Sequence, residues 1–256
     1  MRIAVVSLFP VMLREALMHG VLGRAIERGV LEVECIDPRD FATDVHRTVD
    51  DRPYGGGPGM VLKVEPLRSA MRAALASMPE GSRRVYLGAD GMRFDQGRAR
   101  AARDWPGLVL VAGRYEGVDE RFIESETDEQ WSIGDYVLSG GELPALVVID
   151  AIARLIPGTL GSAESAAQES FSDGLVDWPH YTRPPAIDGQ AVPAVLMSGD
   201  HAAIHRWRLQ QALGRTWLRR PELLERRGMN DEERALLEEF KIDRAARTGR
   251  IEDSQR

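Results

Sequence analysis

The chain has 256 residues, enough for one large or two modest domains that each bury a core. Its composition is that of an ordinary globular protein, 43% hydrophobic and 29% charged, and no continuous apolar run is long enough to span a bilayer. A net charge of -7 argues against indiscriminate binding to polyanions, which needs basic side chains, and the single cysteine, Cys35, excludes an intramolecular disulfide and speaks against zinc-cluster or Cys-nucleophile chemistry.

The start, Met1-Arg-Ile-Ala-Val-Val, lacks the order of a signal peptide, so a cytoplasmic protein without a membrane association is expected. Ile3 to Phe9 reads as a strand, short, rich in branched residues and ended by proline. Cys35 sits in an alternating stretch that reads as another strand, with a buried structural thiol. Val64, Leu67, Met71, Leu75 and Met78 recur at spacings of three and four, which predicts an amphipathic helix. Val85 to Leu87 and Leu108 to Ala112 read as buried parallel strands ended by glycine. From Ile133 to Ala145 a short apolar strand is expected to enter a paired-glycine turn, Gly140-Gly141, and then an apolar helix from Glu142 to about Ile156.

This alternation predicts an α/β doubly wound sheet that binds ligands beyond the carboxyl ends of its strands. Three loops satisfy that geometry: after Leu87, from Gly113, and from Gly134 to Gly141. None fits G-x-G-x-x-G, and Tyr54 to Lys63 lacks the Gly-Lys-Ser/Thr of a nucleotide phosphate loop, so a dinucleotide or nucleoside-triphosphate site is not supported. From Gly158 to about Asp177 the composition turns to Gly, Ser, Ala, Glu and Gln, as in a flexible linker. Pro184, Pro185 and Pro193 then precede a helical region whose last helix, Glu232 to about Ala246, takes Asn230 or Asp231 as its cap. Between Arg206 and Arg227 seven arginines (206, 208, 215, 219, 220, 226 and 227) face two glutamates, with His201, His205, Trp207 and Trp217 beside or among them. Guanidinium groups near aromatics suit phosphate and base contacts. The plainer alternative is a solvated helical face, broken at Gly214 and Pro221.

Six ordered segments carry a resemblance: Ser7-Leu-Phe-Pro10, His46 to Met60, Gly113 to Arg121, Ile133 to Ala145, Pro179 to Pro184 and Gly214 to Pro221. They resemble the bacterial tRNA (guanine-N1)-methyltransferases, members of the trefoil-knotted SPOUT class that use S-adenosylmethionine. The resemblance implies an α/β fold with a SPOUT-type deep trefoil-knotted parallel sheet flanked by helices over residues 1–160. It further implies a flexible linker carrying catalytic residues over 161–185 and a smaller, mostly helical tRNA-binding domain over 186–256. The implied reaction is methylation of N1 of guanosine at position 37 of tRNA, by a homodimer that combines the knot of one subunit with the C-terminal domain of the other. A related knotted methyltransferase acting at another RNA site, and an RNA-binding homologue without catalysis, stay open.

By the same resemblance the donor sits against Tyr86, Leu87, Gly113, Glu116, Ile133, Gly134, Tyr136, Leu138, Gly140, Gly141 and Pro144, with Glu116 and Asp119 near its charged groups. The segment Tyr86-Leu-Gly-Ala-Asp-Gly91 departs from the family's usual Leu-Ser-Pro-Gln-Gly, so contacts there are expected through the backbone. The region from His46, Arg47, Asp50 and Arg52 to the Tyr54–Met60 loop aligns with the part that accepts the substrate base. Methylating N1 of guanine requires a base for the N1 proton and a cation or donor at O6. Arg154 aligns with the residue facing O6, although Asp150, four residues earlier, offers it a helical ion pair. Glu169 aligns with the general base, where the family commonly carries Asp; Asp173 and Asp177 are the alternatives. Mg²⁺ is implied as well, with Glu116, Glu169 and Asp177 as candidate ligands, although their spacing specifies no metal site.

Overall fold

The computed structural model describes residues 1–161 and 170–254. The chain divides into two units, Met1–Ala163 and Glu164–Arg256. In chain order the first contains β1 (Arg2–Val6), α1 (Pro10–Leu17), α2 (Gly20–Glu27), β2 (Glu32–Ile36), the short β3 (Asp50–Asp51) and β4 (Val61–Leu62), and α3 (Val64–Ser77). It continues with β5 (Arg83–Arg93), α4 (Gln96–Arg103), β6 (Gly107–Ala112), α5 (Glu120–Glu126), β7 (Glu129–Ser132) and α6 (Glu142–Ala153). The main sheet has five strands in the order β2-β1-β6-β5-β7, every pair parallel.

Successive side chains on a strand point to opposite faces, and here both faces are covered. Ile3, Val5, Leu108 and Leu110 pack with α1, α2, α4 and α6 on one side. Ala4, Val6, Val109 and Val111 pack with α3 and α5 on the other. Helices on both faces explain why β6 is buried along its whole length, and why its sequence reads as a continuous apolar run.

Several boundaries differ from the sequence expectation. β1 stops at Val6, because Phe9 caps α1 and Pro10 opens it. The strand expected from Ile133 lies just before it, at Glu129–Ser132; Gly134 has φ +151 and Val137 is 92% exposed, so the apolar run 133–138 is loop. β5 runs on past Leu87 through an irregularity in which Leu87 and Met92 both face Trp131. Gly91 makes that return possible, since a Cβ there would stand 2.6 Å from the backbone of Gln130 and Trp131. α6 ends at Ala153, short of Ile156.

The second unit holds a small hairpin of β8 (Ala186–Ile187) and β9 (Gln190–Ala191), then α7 (His201–Arg219), α8 (Pro221–Arg227) and α9 (Asp231–Ser254). Leu175, Ala212, Leu213, Leu224, Leu236 and Leu237 form its core. Pro221 starts a new helix as expected, but Gly214 does not break α7. It is buried inside the helix, and a Cβ there would strike the ring of Phe240 on α9. Close packing, not chain reversal, is the reason for this glycine. At the start of α9, Asn230 rather than Asp231 is the cap: its Oδ1 accepts from Glu233 N at 2.8 Å, while Glu233 Oε2 accepts from Asn230 N at 3.0 Å. Glu233 also pairs with Arg227 at 2.6 Å. Among the described residues, no helix is long and apolar enough to cross a membrane.

Gly214→Ala should lose about 1–3 kcal/mol in urea unfolding, because overpacking against Phe240 outweighs the helix-propensity gain of about 1 kcal/mol. An unchanged or raised midpoint would show that Phe240 can move aside. Hydrogen bonding from Arg227 holds the Glu233 carboxyl below the usual carboxylate range. A depressed folded-state value contributes stability above the unfolded value of about 4.3 and loses it as pH falls through the folded value. Glu233→Gln should therefore flatten the acid limb of stability against pH and leave little further loss below about pH 4 from this site.

Candidate functional site

The middle of β5 and the loops after β6 and β7 enclose a cavity of about 220 Å³. Tyr86 and Leu87 line it from β5, Gly113 and Glu116 from the loop after β6, and Pro144 from the first turn of α6. Ile133, Gly134, Tyr136, Leu138, Gly140 and Gly141 line it from the loop after β7. Those are the residues assigned to a ligand from the sequence, brought to one place. Trp131, Arg114, Tyr115 and Ser139 also line it and were not assigned. The position of Arg114 and Tyr115 inside Gly113-Arg-Tyr-Glu-Gly117 was the available signal.

One buried carboxylate ties these loops together. Glu142 opens α6, where the helix dipole favours an acid, and its side chain is 1% exposed. Oε1 accepts from Ser7 Oγ at 2.7 Å and Oε2 from Arg114 Nε at 2.8 Å. Arg114 Nη1 donates to Ser139 O at 3.0 Å, and the guanidinium lies 4.4 Å from the centre of the Phe9 ring. The strut thus joins the ends of β1 and β6 to the glycine loop.

The paired glycines serve this packing as well as the open space. Gly141 N donates to Gly113 O at 2.8 Å, and a Cβ on Gly141 would sit 2.6 Å from Ala112 Cα. Gly140 bridges Arg114, and a Cβ there would collide with the Arg114 side chain. Gly113 leaves room for Tyr86, whose hydroxyl would otherwise lie 2.9 Å from a Cβ. Burial pushes the Tyr86 hydroxyl up from its ordinary pKa, so it stays a protonated donor.

Glu116 is exposed at the cavity rim, and its N–H donates to Met60 O at 2.9 Å, which anchors the Tyr54–Met60 loop beside the cavity. Asp119 does not line the cavity. It caps α5, accepting from Arg121 N at 3.0 Å and Nη2 at 2.6 Å, and hydrogen bonding from Arg121 holds its carboxyl below the usual range. In the region of His46 to Arg52, Arg47 pairs with Asp40 and Asp50 faces Leu62 across β3 and β4.

Arg154, assigned to catalysis, does not line this cavity. Arg154 is the C-cap of α6, its N–H donating to Asp150 O at 3.1 Å. Twelve residues of helix place it about 18 Å from the cavity end of α6. Glu169 lies outside the described residues. Asp173 and Asp177 line another cavity, within the second unit. The Asp177 carboxylate accepts from Trp178 N at 2.8 Å and meets His180 Nε2 at 2.8 Å. Among the described residues no group of three or more His, Cys, Asp or Glu could hold a metal ion. Glycine backbone, apolar Leu87, Ile133 and Leu138, and the carboxylate of Glu116 suit an extended ligand with a flat body and a positively charged portion.

Residues 1–226 match the family model described as tRNA (Guanine-1)-methyltransferase TrmD. A tRNA (guanine-N(1)-)-methyltransferase of Methylococcus capsulatus is 63% identical over 94% of this chain and 96% of its own. Proteins with the same description are 58% identical in Proteus mirabilis, over 97% of this chain and 99% of that one, and 57% identical in Chromohalobacter salexigens, over 99% and 98%.

Glu142→Gln should cost about 2–3 kcal/mol in urea unfolding, somewhat less than a fully buried pair because the Arg114 side chain is 19% exposed. Ser7→Ala should cost about 1 kcal/mol. Adding Arg114→Gln to Glu142→Gln should recover part of the loss, since no unpaired charge is then left buried. If the double variant shows the full sum of the single losses, the residues do not act as one network.

Proposed function

The chain belongs to the tRNA (guanine-1)-methyltransferase family, and from that membership we propose that it transfers a methyl group from S-adenosylmethionine to N1 of guanosine at position 37 of tRNA, in the cytoplasm. The observation that supports this reading most is the convergence of β5 and the loops after β6 and β7 on one cavity, with Tyr86, Leu87, Gly113, Glu116, Ile133, Gly134, Tyr136, Leu138, Gly140, Gly141 and Pro144 on its wall. The residues fit that group. Gly113, Gly134, Gly140 and Gly141 present bare backbone, Leu87, Ile133 and Leu138 present apolar surface, and Glu116 offers a carboxylate to a positive charge. When bound, S-adenosylmethionine supplies an electrophilic methyl group on a sulfonium.

The rest is proton and charge management by the chain. Guanosine N1 carries its proton at neutral pH, and removing it sends negative charge to O6. We assign the proton to Glu169 and the charge on O6 to Arg154. Asp177 is already engaged by Trp178 and His180, which suits it better to holding the local chain in place. Mg²⁺ rests on the resemblance alone.

Arg154 lies about 18 Å from its own cavity along α6, so its role requires a second subunit. A homodimer is further supported by apolar surface on two helices that pack together: Val11 on α1, Met18 at its C-cap, and Leu143 and Val147 on α6 are 46% exposed or more. The SPOUT knot belongs to the same reading. The chain leaves edge strand β7 through the loop 133–141 and begins α6 against Ala112 and Gly113 at the end of β6, two strands away. Residues 1–160 would form the knotted domain, 161–185 the catalytic linker and 186–256 the tRNA-binding domain.

Incubation with S-adenosylmethionine and unmodified tRNA, followed by nucleoside mass spectrometry, should yield 1-methylguanosine, and none when guanosine 37 is replaced. Methylation that persists after that replacement points to another RNA site, and no methylation to a binding protein. Glu169→Gln should bind both substrates yet lose about 10²- to 10⁴-fold in single-turnover rate, with Glu169→Asp retaining substantial activity. Leu138→Trp should fill the cavity and abolish donor binding. A mixed dimer of Leu138→Trp with Glu169→Gln should regain about half the wild-type rate, since one of its two shared sites is intact. A dead mixed dimer would confine each active site to one subunit.

A further inference from the structure

Part of the charge on the arginine-rich helices is already used. Arg206 pairs with Glu239, Arg220 with Glu222 and Arg227 with Glu233. Arg208 is different. Its Nε is buried without a hydrogen-bond partner, and its guanidinium lies 5.0 Å from the centre of the Trp178 ring. It lines a cavity of about 320 Å³ in the second unit, with His205 one turn earlier on α7 and Leu175, Leu209 and Ala212 as apolar wall.

Stacking on Trp178 satisfies the face of the guanidinium but not its edge, where the N–H donors lie in a planar fork. Arg208 is half-buried, and leaving its buried Nε–H without an acceptor is costly. The carboxylates around the cavity do not relieve it. Asp177 is engaged by Trp178 N and His180, Glu233 by Arg227 and Asn230, and Asp173 makes no ion pair with Arg208. Arg215 also has a buried Nε without a partner but does not line this cavity.

We propose that this cavity takes one phosphate group, gripped by the edge of Arg208 with His205 beside it. Its source is a backbone phosphate of the tRNA. This rests on the reading of the chain as a tRNA methyltransferase and adds the residue that receives the phosphate. The Trp178 ring, 5.0 Å from the guanidinium, limits the freedom of Arg208, so the contact requires less ordering than one made by a freely moving surface arginine.

The test measures binding of unmodified tRNA to full-length protein over a range of salt concentrations. Arg208→Gln should weaken binding about 5- to 20-fold and lower the salt slope by about one. Arg208→Lys should fall between wild type and Arg208→Gln, since it keeps the charge but loses the fork. Arg206→Gln, which removes the same charge from an exposed, paired position on the same helix, should have the smaller effect. Affinity for S-adenosylmethionine should stay at the wild-type value throughout. Inorganic phosphate should raise the thermal midpoint of wild type but not of Arg208→Gln. If Arg208→Gln and Arg208→Lys, both folded by circular dichroism, bind tRNA with wild-type affinity and slope, the proposal is overturned. Should phosphate still stabilise only the wild type in that case, the cavity holds a free anion and not RNA. Wild-type protein that methylates tRNA while the variants match it sinks this inference alone; wild-type protein that neither binds nor methylates tRNA sinks the functional reading with it.

Discussion

A single buried carboxylate organises the first unit. Glu142 is removed from water, and a charge in that position is tolerable only with partners on both oxygens. Ser7 and Arg114 supply them, from 135 residues and 28 residues away in sequence. Because Ser7 follows β1 and Arg114 follows β6, meeting the needs of Glu142 fixes where α6 begins relative to two strand ends. Arg114 then reaches Ser139, and the glycine loop has one position rather than many.

The cavity is a consequence of that fixation. Parallel strands deliver their loops to the same end of the sheet, which makes a concave site there a general property of the architecture. What is particular here is how closely the backbone must approach. Gly141 rests on Ala112 and Gly113, Gly140 on Arg114, and Gly91 on the backbone of β7. Any Cβ at these points would push a wall of the cavity outward, so the same glycines serve the fold and the space for a ligand. Glu116 adds a link to the Tyr54–Met60 loop through Met60, which places a conformationally demanding, glycine-rich segment at the rim.

Charge follows a different logic in the second unit. A chain of net charge -7 with an arginine-rich stretch looks contradictory for a protein that handles RNA. The contradiction eases once the pairs are seen, because several arginines are spent on neighbouring acids that stabilise α7, α8 and α9. The exposed pairs, Arg206–Glu239 and Arg220–Glu222, are worth little individually. Their effect is to leave particular cations, Arg208 among them, with a donor edge that no protein group fills.

By itself the sequence determined what depends on near neighbours along the chain. The three- and four-residue spacing from Val64 to Leu75 sits on α3, the branched run Leu108–Ala112 on β6, and Asn230 caps α9. Extended motifs also marked the residues that line the cavity, because a whole ordered pattern carries family information that periodicity does not. Tertiary structure alone decided the rest. The apolar run 133–138 looked like a strand but has no strand beside it to pair with; Gly214 looked like a break but yields to Phe240; Asp119 looked like a ligand group but caps α5. Local pattern reports contacts a few residues away, whereas the partners of Glu142, the 18 Å or so between Arg154 and its own cavity, and the unfilled edge of Arg208 depend on segments that only the folded chain brings together or holds apart.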